Sequence, residues 1–136
     1  MADIPFTNPT PSFSSTNPTG TGTGFNYIGQ HGYAYSGNLT VGGAGAVTAI
    51  KFNSGSVYID AKFSPQYNGN NSEDFAYTFK MNGETLFVQV LQDQDNQTFN
   101  ETSVIIPPHT EIEITIEPVS HTTNRSVSVL LTGRVY

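Results

Sequence analysis

From residue 31 onward, apolar and polar side chains alternate in short runs separated by Gly, Asn and Pro, and no window carries the spacing of an amphipathic helix. Successive side chains of a strand point to opposite faces, so this alternation predicts half-buried strands. In Gly55–Phe63, Val57, Ile59, Ala61 and Phe63 point one way, and Tyr58, Asp60 and Lys62 the other. The first set forms a core face. Thr110–Glu117 repeats the pattern, with Ile112, Ile114 and Ile116 set against Glu111, Glu113, Thr115 and Glu117. Ser126–Tyr136 does the same with Val127, Val129 and Leu131, and Gly133 marks a bulge or a tight contact.

The sharpest local signal is Phe75–Met81, then Asn82-Gly83, then Glu84–Val90. Asn-Gly tolerates positive φ at both central positions, as the two-residue turns that match strand twist require. Pairing outward from this turn predicts Phe79 opposite Leu86, Tyr77 opposite Val88 and Phe75 opposite Val90, all on one face. Thr102–Ile106, stopped by Pro107-Pro108, together with Gly32–Leu39 and Ala46–Asn53, brings the count to about eight strands. The expected fold is a single all-β jelly roll or β-sandwich of antiparallel strands, occupying residues 31–136.

Residues 1–30 break the pattern. Pro5, Pro9, Pro11 and Pro18 and the glycines at 20, 22 and 24 punctuate a stretch whose first 24 residues hold only Ile4, Phe6 and Phe13 as sizeable apolar groups after Met1. Such a segment buries too little by itself to offset its ordering entropy. It reads as an extended N-terminal arm, with Ile4, Phe6 and Phe13 as anchors on a neighbouring subunit or surface.

Composition narrows the function. A chain of 136 residues allows one module. Five Lys and Arg against eleven Asp and Glu give a net charge of −6, which repels phosphate backbones and anionic membranes, so neither nucleic acid nor a membrane is an expected partner. The absence of cysteine removes disulfides, thiolate metal sites and Cys nucleophiles. No apolar run is long enough for a membrane helix, and the start of the chain lacks a secretory signal pattern, which predicts a soluble protein made in the cytoplasm.

Catalytic chemistry is poorly supplied. His31, His109 and His121 have no ligand-like spacing, and there is no Gly-x-Ser-x-Gly elbow. Glu111 and Glu113 share a strand face about 7 Å apart, a separation that paired-carboxylate hydrolysis uses, but they read as a solvated face that resists aggregation. Asp93–Gln97 spaces oxygen ligands like a calcium loop, yet Thr98 stands where such loops need Gly and Val104 where they need an acid. No catalytic residue, cofactor site or metal site is expected, and the chain is not read as an enzyme.

Aromatics are more telling. Seven Tyr and nine Phe exceed what one small core readily hides, and Tyr is favoured at interfaces because it buries a rigid ring while keeping a polar tip. Tyr58 points away from the core face, and Tyr33 and Tyr35 share a face of their strand. With Tyr136, they form the expected subunit contact.

The Gly-x-x-Tyr at Gly55–Tyr58, the Asn-Gly hairpin, the Pro107-Pro108-His109-Thr110 turn and the closing Leu131-Thr132-Gly133-Arg134-Val135-Tyr136 resemble small jelly rolls of the tumour-necrosis-factor and C1q type over residues 31–136. Members of that group are typically trimers whose aromatic residues meet at an axis. Without a secretion signal or stalk, the chain is more similar to the armed jelly rolls that serve as decoration, cement or minor capsid proteins of viruses and phages. The resemblance implies a homotrimer in the virion, made in the host cytoplasm, with the major capsid or another virion protein as partner of the arm. The alternative expectation is a carbohydrate- or receptor-binding module of an adhesin or tail fibre, using the polar loops Asn68–Glu73 and Asp93–Asn100.

Overall fold

The computed structural model describes residues 21–43, 45–67, 74–91 and 101–136. The arm residues Ile4, Phe6 and Phe13 and the loops Asn68–Glu73 and Asp93–Asn100 lie outside the described residues. Within them the chain is all-β: β1 (Thr21–Thr23), β2 (Asn26–Ile28), β3 (His31–Tyr35), β4 (Leu39–Val41), β5 (Val47–Asn53), β6 (Ile59–Tyr67), β7 (Asp74–Met81), β8 (Glu84–Leu91), β9 (Thr102–Ile106), β10 (Glu111–Val119) and β11 (Arg125–Val135).

These strands form two sheets. The first has the order β1-β5-β10-β7-β8; the second has β2-β3-β11-β6-β9, with β4 pairing further along β11. Only β1 runs parallel to its neighbour, β5, among the described strands. Setting aside the three-residue strands, the remaining eight run first-eighth-third-sixth in one sheet and second-seventh-fourth-fifth in the other. That interleaving is the double Greek key of a jelly roll.

The inner faces follow the alternation. Ile59, Ala61 and Phe63 of β6, Ile112, Ile114 and Ile116 of β10, and Val127, Val129 and Leu131 of β11 are fully buried. Each large apolar side chain withdrawn from water stabilises the fold by about 1.5–3 kcal/mol, before cavity effects. Among the described residues, β structure is present from Thr21, ahead of the alternation that starts at residue 31. Phe25 lies in the core, stacked on Phe52 at 5.2 Å between ring centroids, so part of the stretch assigned by composition to the arm belongs to the sandwich. Phe25 and Tyr27, flanked by glycines, make too short a run to give a periodic signal there.

The predicted hairpin forms, with Asn82 at φ 51° and Gly83 at φ 85°, but its expected register is wrong by one residue. Met81 pairs with Glu84 and Lys80 with Thr85; a bulge then intervenes, and Phe79 faces Phe87, Tyr77 faces Gln89 and Phe75 faces Leu91. The extra residue is Leu86. A one-residue shift exchanges the two faces of a strand. Here it brings the Phe87 ring onto Phe79, stacked at 5.0 Å, and edge-on to Phe63 at 5.4 Å. Leu86, Val88 and Val90, expected inside, are left outside, each about half exposed.

Two pairs of close contacts set the shape of the second sheet. Gly32 and Gly133 are paired across β3 and β11. A Cβ on Gly32 would lie 2.4 Å from the Phe25 ring, and one on Gly133 would lie 2.7 Å from the Asp60 carbonyl oxygen. At the end of the sandwich, the buried Ser54 hydroxyl donates to the Pro107 carbonyl at 2.6 Å and accepts from the Thr110 amide at 3.0 Å, fixing the turn that carries His109 at φ 57°.

Candidate functional site

The two outer faces have different chemistry. On the first sheet, the outward positions of β5, β10 and β7 are charged or small and polar. Glu113 lies in register between Lys51 and Lys80, Thr115 lies beside Thr78, and Glu113 Oε2 accepts from Thr48 Oγ1 at 3.2 Å. This is a water-facing surface, and the Glu111/Glu113 pair belongs to it.

The second sheet presents rings. Cross-strand partners share a face in an antiparallel pair, so the register fixes which side chains stand together. Tyr35 faces Leu130, and Tyr33 faces Thr132, which faces Lys62. His31 faces Arg134, which faces Asp60. Beyond the end of β11, Tyr58 and Tyr136 are joined by two backbone hydrogen bonds of 3.1 and 2.9 Å, which put their side chains on the same face. The structure therefore brings Tyr33, Tyr35, Tyr58 and Tyr136 onto one surface. Tyr33, Tyr58 and Tyr136 are 47%, 53% and 62% exposed, and Tyr35 is half-buried.

Why Tyr and not Phe stands here follows from the hydroxyl. Among the described residues, Phe25, Phe52, Phe63, Phe75 and Phe79 are buried in the core. Tyr77 joins them, and its buried hydroxyl donates to the Gln66 carbonyl at 2.6 Å across the sandwich. A tyrosine on an open face keeps that polar tip wet and offers the rest of the ring.

The same face holds features that sequence reasoning missed. Ile28 pairs with His31 and Ile105 with Asp60, so one row crosses five of the six strands as Ile28, His31, Arg134, Asp60 and Ile105, with isoleucines 86% and 58% exposed at its ends. The central part of the row, with Lys62 and Thr132, lines an open groove of about 480 Å³ over the backbone of Gly32 and Gly133. Arg134 donates to Gln30 Oε1 at 2.7 Å, and its guanidinium carbon lies 6.0 Å from the centre of the Tyr136 ring, at the outer reach of a cation–π contact. Lys62 and Arg134 are two of the five cations in the chain. The alternation Tyr58-x-Asp60-x-Lys62 already marked this outward face; the contributions of His31 and Arg134 needed the strand order.

The histidines are dispersed. His31 borders the groove, His109 sits in the Pro107-Pro108 turn, and His121 Nε2 donates to the Asp74 carbonyl at 2.9 Å while Nδ1 accepts from the Thr123 amide at 3.1 Å. Among the described residues, no group of three or more His, Cys, Asp or Glu is arranged to hold a metal ion. Compared with known proteins, the chain matches no family model and no curated protein sequence.

Proposed function

We propose that the chain is a structural assembly module of a virus or phage particle, a decoration, cement or minor capsid component whose copies join through the outer face of the second sheet. The single observation that supports this most is the grouping of four tyrosines and two exposed isoleucines on the outer face of the second sheet, whereas the outward positions of β5, β10 and β7 in the first carry Lys, Glu and Thr. An exposed, ring-rich face beside a polar one is the composition of a protein contact. Its work is binding without turnover. The homotrimer and an arm of residues 1–20 lying on the shell through Ile4, Phe6 and Phe13 complete the proposal. The jelly-roll fold adds support by analogy only, since capsid and lectin domains both use it. Many copies of a weak arm contact gain strength from multivalency. The test is co-sedimentation with particles, for the full chain and for a chain lacking residues 1–20. Binding by the first and loss in the second supports the proposal; full-length chain that ignores particles contradicts it.

The groove favours one second reading. Asp60, Lys62, Arg134 and His31 between Tyr33 and the Tyr58–Tyr136 pair offer hydrogen-bonding groups beside rings, the combination a sugar uses. Glycan binding that vanishes on Arg134→Ala, in a chain that stays monomeric, would favour the adhesin or tail-fibre alternative.

A further inference from the structure

Edge strands expose unpaired backbone groups. Among the described residues, the edges are β1 and β8 in the first sheet and β2, β4 and β9 in the second. All but β8 are blunted. β1, β2 and β4 are three residues long, and β9, of five residues, follows Glu101 and runs into Pro107-Pro108. β8 is different. It is eight residues long, and after Glu84 and Thr85 it reads Leu86-Phe87-Val88-Gln89-Val90-Leu91, with no charge, Pro or Gly. Leu86, Val88 and Val90 are 50%, 52% and 45% exposed along it.

The backbone agrees with the side chains. In a two-residue hairpin the residues flanking the turn, Met81 and Glu84, form a hydrogen-bonded pair, and such pairs alternate with non-bonded ones. Following β7 outward, Phe79, Tyr77 and Phe75 are the next bonded positions, so Phe87, Gln89 and Leu91 direct their amides and carbonyls to β7. Those of Val88 and Val90 point away from β7, to an edge that no described strand pairs.

We propose that β8 is a second, separate contact surface whose occupant is β8 of another copy, paired antiparallel about a two-fold axis at Val88. This register sets Val88 opposite itself and Leu86 opposite Val90, so each apolar side chain of the strip gains an apolar cross-strand neighbour. Charge favours it as well. The chain carries a net charge of −6, whereas Leu86–Leu91 is neutral, so two copies meet along it with no like charges directly opposite. The pairing extends the first sheet across two copies and is isologous, so it closes as a dimer and does not propagate into a fibre. Joined with a contact through the tyrosine face, it would link small assemblies into larger ones.

The test uses the full chain carrying Tyr33→Ser, Tyr58→Ser and Tyr136→Ser, which removes the tyrosine face from the result. Light scattering is expected to give twice the chain mass of 14.7 kDa. Adding Val88→Lys or Val88→Glu alone is expected to give the monomer, with circular dichroism and melting temperature checking the fold. Mixing the Lys and Glu variants is expected to restore the dimer, because the axis sets position 88 against itself. A monomer before any change at Val88, a dimer that survives Val88→Lys, or a mixture that stays monomeric overturns the proposal. Should both variants misfold, amide hydrogen exchange on the unsubstituted chain decides: Val88 and Val90 slow with rising concentration if β8 pairs, and rates that ignore concentration contradict it.

Discussion

Tyr58 and Tyr136 are held side by side by two backbone hydrogen bonds between β6 and the end of β11, and more than half of each side chain is exposed. Rings with no role are seldom kept in register on an open face beside two more of their kind. If copies meet there, Tyr58→Asp with Tyr136→Asp should lower the association mass while moving the folding free energy by only about 0.5 kcal/mol, as surface substitutions do. Light scattering and urea denaturation on the same sample measure both. Unchanged mass would remove these two rings from the contact.

The bulge in β8 makes a prediction that a regular hairpin would reverse. Phe87 packs on Phe79 and Phe63, whereas Leu86 faces outward. Phe87→Ala should cost about 2–4 kcal/mol, less than a fully buried Phe, and Leu86→Ser less than about 0.5 kcal/mol. Urea unfolding of the two variants distinguishes the registers. In unbulged pairing, Leu86 would be the costly one.

The second sheet depends on two glycines that no side chain can replace. Gly133→Ala would set a methyl 2.7 Å from the Asp60 carbonyl oxygen and 2.9 Å from Ile59, within rigid paired strands. The expected cost is about 1–3 kcal/mol of overpacking. Gly83→Ala tests a different cause, since nothing crowds it within 4 Å and only its φ of 85° opposes a side chain. Its cost should fall near about 1 kcal/mol. Chemical denaturation of both variants checks the order.

Ser54 ties the Pro107-Pro108 turn to the core through a donor and an acceptor bond. Ser54→Ala leaves the Thr110 amide without that acceptor in a buried setting, so about 1–3 kcal/mol should be lost. Ser56→Ala, at an exposed neighbour, should be neutral. Thermal melting of the two variants is the comparison.

Much of the sandwich could be read from residues alone, because Ile112, Ile114 and Ile116 or Val57, Ile59, Ala61 and Phe63 leave no other way to hide their side chains than a strand against a core. The outward turn of Tyr58, Asp60 and Lys62 followed from the same rule. Two things did not. The place of Leu86 was hidden because Leu86, Phe87, Val88 and Val90 are all apolar, and only packing against Phe63 and Phe79 decides which ring goes inside. The grouping of Tyr33 and Tyr35 with Tyr58 and Tyr136 depends on β11 lying between β3 and β6, a long-range pairing that no local pattern encodes. Phe25 and its short strands were missed because Phe25 and Tyr27, flanked by glycines, make too short a run to show a period.

The central claim is that copies of the chain meet through the tyrosine face of the second sheet. Light scattering of the full chain across a concentration series tests it most directly, with the Tyr33→Ser, Tyr58→Ser, Tyr136→Ser variant alongside. A mass above 14.7 kDa that falls in the variant, with both samples folded, is the predicted result. A monomer at every concentration, or an assembly indifferent to the three substitutions, would contradict it.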